Sequence, residues 1–287
     1  MNTRPLILVS NDDSIYAKGV KELISRLVKF GDVVAVCPDA PRSGQSMAIT
    51  VNDPLRITEM PDFEGAKMYR VSGTPVDCIK LAMHHILDRR PDLVVSGINH
   101  GSNASVNELY SGTMGATCEG CAFGIPSIGF SLTDHDPDAD FTQCSRTVDT
   151  IVDAVLRFGL PEGICLNVNI PNTGSEPEKL QVAVPCRGHW NDEYKEYRDP
   201  SGRKFYLLCG EFINDEPDNE LTDEWCLSHG IAGVRHPGRR MGMAQGEPQQ
   251  LFHHPAGAFD IRLYSTKGIA NHPAIEKHRS TGLAFSL

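Results

Sequence analysis

Two adjacent carboxylates, Asp12 and Asp13, end the first apolar run of the chain, in "LILVSNDDSIYAKG" from Leu6 to Gly19. A turn or a helix N-cap is served by one Asp or Asn, and a second carboxylate beside it adds only like-charge repulsion. A divalent cation removes that penalty, because hard cations such as Mg2+ and Mn2+ prefer carboxylate, amide and hydroxyl oxygens. Two further loops carry such oxygens. In "DAPRSGQSMAIT", Ser43 offers a hydroxyl and Gly44 a bare backbone N–H, and in "SGINHGSN", Asn99 offers an amide oxygen directly after an apolar run. Downstream, "YSGT" at Tyr110 to Thr113 precedes a helix-like segment. Two hydroxyls and a glycine at a helix N-terminus suit an anion, since the N–H groups point outward and the helix dipole favours negative charge. Capping by Ser111 or Thr113 is a compatible use of the same geometry.

The elements that must position these loops can be read from periodicity. "LILVS" precedes a helical pattern, "AKGVKELISRLVKFG", with Val20, Leu23, Ile24 and Leu27 at 3–4 spacing and Gly31 as a stop. "DVVAVCP" follows as a strand, "PVDCIKLAMHHILDRRP" as a helix holding His84 and His85, and "PDLVVSGIN" as a strand. A helix over "GTMGATCEGCAFG" and a strand at "PSIGFSL" complete the run. Nearly wholly apolar strands alternating with helices predict a parallel sheet covered on both faces, that is, a doubly wound, Rossmann-like α/β fold. Such sheets bind ligands at the carboxyl ends of their strands, so the three oxygen-rich loops are expected to converge on one edge. This domain is assigned to residues 1–171. From about Asn172 strand–loop–strand patterns with charged and aromatic residues predict a β-rich arm over 172–234, returning to the core through a short helix at "LTDEWCLSHG".

Composition narrows the classes. The formal net charge of −10 argues against a protein that coats nucleic acid polymers. No apolar run reaches the about 18 residues that a membrane span needs, and the N-terminus lacks a signal-peptide h-region. Nine scattered cysteines fit reduced thiols in a cytoplasmic protein. Cys118 and Cys121 form a single C-x-x-C without a second pair, read as small apolar residues one helical turn apart.

Taken together, "ILVSNDDS", "CPDAPRSGQS", "VSGTPVDCIKLA", "SGINHGSN" and "YSGTMGATCEG" resemble the SurE family of survival-protein phosphatases, metal-dependent 5'-nucleotidases, over roughly residues 6 to 230. The resemblance implies one divalent cation per subunit, Mg2+ or Mn2+, held by Asp12, Asp13, Ser43 and Asn99. It also implies hydrolysis of nucleoside 5'-monophosphates, with 3'-monophosphates and short polyphosphate as further substrates, and a homodimer or homotetramer. Gly44, Asn103, Ser111, Gly112 and Thr113 fall on the phosphate side. Asp12 or Asp13 would orient the attacking water. His100 is either a proton donor for the leaving alkoxide or a solvated loop residue. Glu119 either bonds a ribose or braces the loops, and Tyr110 faces the nucleoside or anchors the helix start.

Other readings fit less well. A covalent aspartyl phosphatase shows Asp-x-Asp, not an adjacent pair; a receiver domain would place an Asp where Asn99 stands. A dinucleotide enzyme needs Gly-x-Gly-x-x-Gly after the first strand. The non-enzyme alternative is a nucleotide- or metal-sensing protein on the same fold. The chain departs from the family pattern after about Val234, where Gly233, Pro237 and Gly238 are expected to break the closing strand. Residues 235–287 hold seven Lys/Arg against three Asp/Glu, a net +4 that leaves −14 on the rest, and five of the eleven histidines. This tail reads as irregular or disordered and as non-family sequence, from a shifted reading frame or a late fusion.

Overall fold

The structure, a computed structural model, describes residues 4–236. The apolar runs form the centre of a nine-stranded sheet. Leu6–Ser10 (β1) and Ser127–Leu132 (β6) are buried throughout, and Leu93–His100 (β5) is buried up to its last residue. Asp32–Pro38 (β2), Ile57–Phe63 (β3) and Ala66–Val71 (β4) extend the sheet on one side. Leu166–Ile170 (β7), Leu180–Val182 (β8) and Ala232–Arg235 (β13) extend it on the other, giving the order β3-β4-β2-β1-β5-β6-β7-β13-β8. From β4 across to β7 the pairings are parallel; β3 runs antiparallel to β4, and β13 antiparallel to β7.

Alternation along β1 divides the core. Ile7 and Val9 face one apolar layer with Leu23, Ile24 and Leu27, while Leu8 faces the other with Val36, Ile79 and Val94. Helices Lys18–Leu27 (α1) and Ser145–Phe158 (α4) cover the first face. Pro75–Leu81 (α2) and Gly112–Ala122 (α3) pack on the other, where Cys78, Ile79 and Ala116 meet Val36 and Val94. β1 lies between β2 and β5, so the chain leaves it toward one side and returns on the other. That reversal opens a crevice at the carboxyl ends of β1 and β5, where Asp12 and Asn99 stand.

Several local expectations need correction. α1 ends at Leu27, short of Gly31; a Cβ on Gly31 would stand 2.3 Å from the Pro5 carbonyl oxygen, so this glycine serves close backbone approach instead of a stop. The helix expected across 75–91 gives way to a π-helical turn at Ala82–Ile86 and extended backbone at Leu87. His84 and His85 are exposed on that turn. The arm consists of two hairpins, built from Gly188–Asn191 (β9), Tyr194–Arg198 (β10), Lys204–Leu208 (β11) and Glu211–Asn214 (β12), paired as β9–β12 and β10–β11. Asp223–Ser228 (α5) is capped by Thr222, whose side chain accepts from the Trp225 N–H.

The largest correction concerns Gly233. It does not break a strand: β13 runs through it, bonded to β7 on one side and β8 on the other. A Cβ at Gly233 would meet nothing closer than 3.7 Å, so the residue sits in ordinary strand geometry. Arg235 therefore belongs to the sheet and not to a tail. Apart from Arg235 and His236, the tail lies outside the described residues. Among the described residues no helix is long and apolar enough to cross a membrane, and all nine cysteines are free thiols.

α1 presses on the end of β5 through Gly19, where an added Cβ would fall 2.0 Å from the Ile98 carbonyl oxygen. Gly19→Ala must push the helix off the strand that delivers Asn99. It is expected to lower Tm by roughly 2 to 10 °C, from an overpacking cost of about 1–3 kcal/mol. The exposed Lys21→Ala on the same helix serves as control, and equal Tm values for the two variants would contradict this packing.

Candidate active site

Three loops meet at the crevice. Asp12 is 3 % exposed, and its Oδ1 accepts a 2.5 Å hydrogen bond from the Thr113 hydroxyl at the start of α3. Gly112 lies so close that a Cβ there would be 2.7 Å from the Asp12 Cβ. Asp13 is held from the other side: its Oδ2 accepts the backbone N–H of His100 at 3.1 Å and lies 3.1 Å from the ring Nδ1. The His100 ring stands edge-on to Phe141 at 4.7 Å between centroids. His100 is thus not a solvated loop residue: it fastens Asp13 to the end of β5 through its backbone N–H and Nδ1.

Asn99 reaches the site through an irregularity in β5. The β5–β6 register shifts between Ser96 and Asn99, around Gly97 at φ +123°, where a Cβ would lie 2.3 Å from the Phe130 carbonyl oxygen. The Asn99 amide nitrogen donates to the Gly101 and His100 carbonyls at 2.8 and 3.2 Å. Two carbonyl partners fix that end as nitrogen, leaving the oxygen as the ligand-type atom.

The Ser43–Gly44 loop is exposed and stitched in place by its flanks. Arg42 N–H donates to the Asp12 carbonyl at 2.7 Å, and Ser46 N–H donates to the Tyr110 carbonyl at 3.1 Å. Gly115 allows the approach, since a Cβ there would be 2.2 Å from the Ser46 carbonyl oxygen. Gly44 adopts φ +76° with open space around it. The "SGTPVDC" segment explains the far end of the loop. Thr74 and Asp77 form a capping box for α2, and Asp77 also accepts the Thr50 hydroxyl at 2.6 Å. Burial pushes the Asp77 carboxyl up, but these bonds from Thr50 and Thr74 outweigh it and hold its pKa below the usual value.

Ser111 caps α3, its oxygen accepting from Met114 N–H at 3.0 Å. The N–H groups of Gly112 and Thr113 open the helix and have no intrahelical carbonyl to bond. Glu119 is braced by Lys80 at 2.5 Å, which joins α3 to α2. Tyr110 is half exposed, and its carbonyl holds the Ser43 loop. Asn103 is buried in a network that sequence reasoning missed. Its N–H donates to Asn169 Oδ1 at 2.7 Å, its amide nitrogen to Ser131 Oγ at 2.7 Å, and its carbonyl accepts from Asn167 Nδ2 at 2.9 Å. The alternation in "LNVNI" was the available signal, since it puts Asn167 and Asn169 on one face of β7. Cys118 and Cys121 pack with Cys165 against Met47, as a structural role requires.

The donor chemistry fits a hard divalent cation. Among the described residues no group of three or more His, Cys, Asp or Glu is arranged to hold a metal. A cation held here would need neutral oxygens to complete its shell, and the Asn99 amide oxygen is a candidate, since its nitrogen is taken by the Gly101 and His100 carbonyls. Burial, and then the neighbouring Asp13 charge, push the Asp12 carboxyl up from about 3.8 to about 6, against the Thr113 hydrogen bond. A cation would reverse both effects.

The sign of this shift makes a prediction. A carboxyl raised in the fold binds a proton that the unfolded chain has lost, so metal-free stability falls as pH rises from about 3.8 through about 6. Asp12→Asn removes that penalty, which is worth up to about 3 kcal/mol. In EDTA the variant's Tm is expected to exceed wild type at pH 7.5 and to lose the advantage below pH 4. With saturating Mn2+ at pH 7.5 the wild type should regain the lead. A variant no more stable than wild type in EDTA at pH 7.5 would contradict the burial cost on the Asp12 charge.

Comparison with known proteins agrees with the site's composition. The family model "Survival protein SurE" matches residues 7–192. The 5'-nucleotidase SurE of Bacteroides fragilis is 51% identical over 233 residues, covering 81% of this chain and 91% of that protein. The 5'-nucleotidase SurE of Cytophaga hutchinsonii is 45% identical over 234 residues, covering 81% and 90%. The crystal structure of the SurE protein from Aquifex aeolicus superposes with a TM-score of 0.68 at 34% identity, covering 81% of this chain and 92% of that one. The carboxylate pair, the crevice at the strand reversal and the capped helix beside it therefore sit in a chain that belongs to the SurE family.

Proposed function

We propose that the chain is a metal-dependent 5'-nucleotidase that hydrolyses nucleoside monophosphates to nucleoside and phosphate. The observation that carries this reading is the junction of Asp12 with Thr113 at 2.5 Å, which joins a carboxylate pair to a helix N-terminus. Asp12, Asp13, Ser43 and Asn99 would hold the cation, Mg2+ or Mn2+. When bound, it supplies Lewis-acid polarisation of a phosphoryl oxygen and a water of lowered pKa. The remaining work falls to the protein. The N–H groups of Gly112 and Thr113, the Ser111 hydroxyl and the Gly44 N–H face charge that builds on the phosphoryl oxygens. Asn103 would meet the phosphate at the edge of this cradle through its amide N–H groups, of which one is held by Ser131 Oγ at 2.7 Å. Asp12 or Asp13 orients the attacking water, with Asp12 tethered by Thr113 and Asp13 by His100. The exposed Tyr110 beside Ser111 suits a nucleoside face.

The same cradle would accept 3'-monophosphates and short polyphosphate, because it engages the phosphoryl group and not the base. The exposed aromatic and apolar side chains of β10 and β11, Tyr194, Phe205, Tyr206 and Leu208 among them, support a homodimer or homotetramer. Free thiols throughout support a reducing, cytoplasmic setting.

Phosphate release from AMP with Mn2+ and with EDTA tests the reading. Release that needs Mn2+ and falls by roughly a hundredfold or more in Asp13→Ala is expected. Folded wild type that binds nucleotide without releasing phosphate would favour the sensing alternative.

A further inference from the structure

Arg235 is the most thoroughly buried cation among the described residues with acidic partners on two elements. Its side chain is 1 % exposed. Nη1 lies 2.6 Å from Glu108 Oε2, and Nε lies 3.0 Å from Asp223 Oδ2, off the N–H axis and hence a charge contact. Nη2 donates to the Asn103 carbonyl at 3.1 Å and the Ser105 carbonyl at 3.3 Å. One guanidinium on β13 thus ties together both ends of the segment 103–108. Asp223, itself 1 % exposed on α5, completes the tie by accepting Ser105 N–H at 2.8 Å and Cys186 N–H at 2.9 Å. Ser105 stands at φ +50°, a backbone conformation that a non-glycine residue holds only when its neighbours impose it.

That segment leads directly into the phosphate cradle. Its last turn spans Ser105–Tyr110, and Ser111 N–H donates to the Glu108 carbonyl at 3.2 Å. Glu108 therefore receives the guanidinium through its side chain and the helix cap through its backbone. Burial pushes the Glu108 carboxyl up despite Arg235, so the pair forms against a desolvation penalty.

We propose that Arg235 is a positioning residue for the phosphate cradle: clamped by Glu108 and Asp223, it holds residues 103–111 so that the Ser111 hydroxyl and the Gly112 N–H face the phosphate, while Thr113 is held on Asp12 by α3 itself. The proposal rests on the phosphatase reading of the site. It assigns to the closing strand a part in substrate binding and none in cation binding, because Asp12, Asp13 and Asn99 are anchored independently through Thr113, His100 and Gly101.

Arg235→Met alone leaves Glu108 and Asp223 facing an apolar side chain and will lower Tm. Arg235→Met/Glu108→Gln removes one charge of each sign, while Asp223 keeps its backbone donors, so part of that loss should return. Calorimetry with inorganic phosphate on Mn2+-loaded protein then reads the cradle without turnover. In the double variant the phosphate Kd is expected to rise about tenfold, with a matching rise in KM for AMP. Its Mn2+ Kd should stay within about twofold of wild type, as an unaltered ligand set requires. A double variant with recovered Tm and wild-type phosphate Kd and KM would overturn the proposal and leave Arg235 a stabilising ion pair. A parallel loss of Mn2+ affinity would overturn it too, by showing general collapse of the site. Wild type that releases no phosphate would defeat the nucleotidase reading instead, and the phosphate Kd ratio would still decide the role of Arg235.

Discussion

A carboxylate buried beside a second carboxylate is the constraint around which this molecule is arranged. Asp12 sits at the end of a strand without solvent to screen it, and its neighbour carries the same charge. The fold tolerates this only by surrounding the pair with donors from separate elements: Thr113 from α3 on Asp12, and His100 from β5 on Asp13. Each donor in turn depends on close backbone approaches that only glycine permits, at Gly112 against Asp12 and at Gly97 against β6. The crevice is therefore a product of packing as much as of polar chemistry. An oxygen-only ligand set with net negative charge is the arrangement that a hard divalent cation stabilises.

Much of this was legible in the sequence. Strands buried on both faces read as unbroken apolar runs, so β1, β2, β5 and β6 followed from pattern alone, though not their order in the sheet. The loops at their carboxyl ends were then brought together by a rule of α/β sheets. Asp12, Asp13, Asn99, Ser111 and Thr113 could be picked because each stands at the end of an apolar run or opens a helix.

What stayed hidden depends on contacts distant in sequence. Arg235 meets Glu108 across 127 positions, and no local pattern links them. β13 was masked by Gly233, because a glycine lowers strand propensity when no side chain is needed to pack; here two neighbouring strands, β7 and β8, supply the ladder. The role of His100 was equally opaque, since a loop histidine reveals its partner only once β1 and β5 are paired. Gly31 misled in the opposite way: its composition signal was real, but its cause was a close approach to Pro5 and not a helix stop.

In the proposed reading, Asp12, Asp13 and Asn99 hold one cation across the β1–β5 crevice. Titration of the protein with Mn2+, followed by electron paramagnetic resonance of the free ion, tests it most directly. One strong site per chain is expected, weakened by about tenfold or more in both Asp13→Asn and Asn99→Leu. Wild-type affinity in both variants would contradict it.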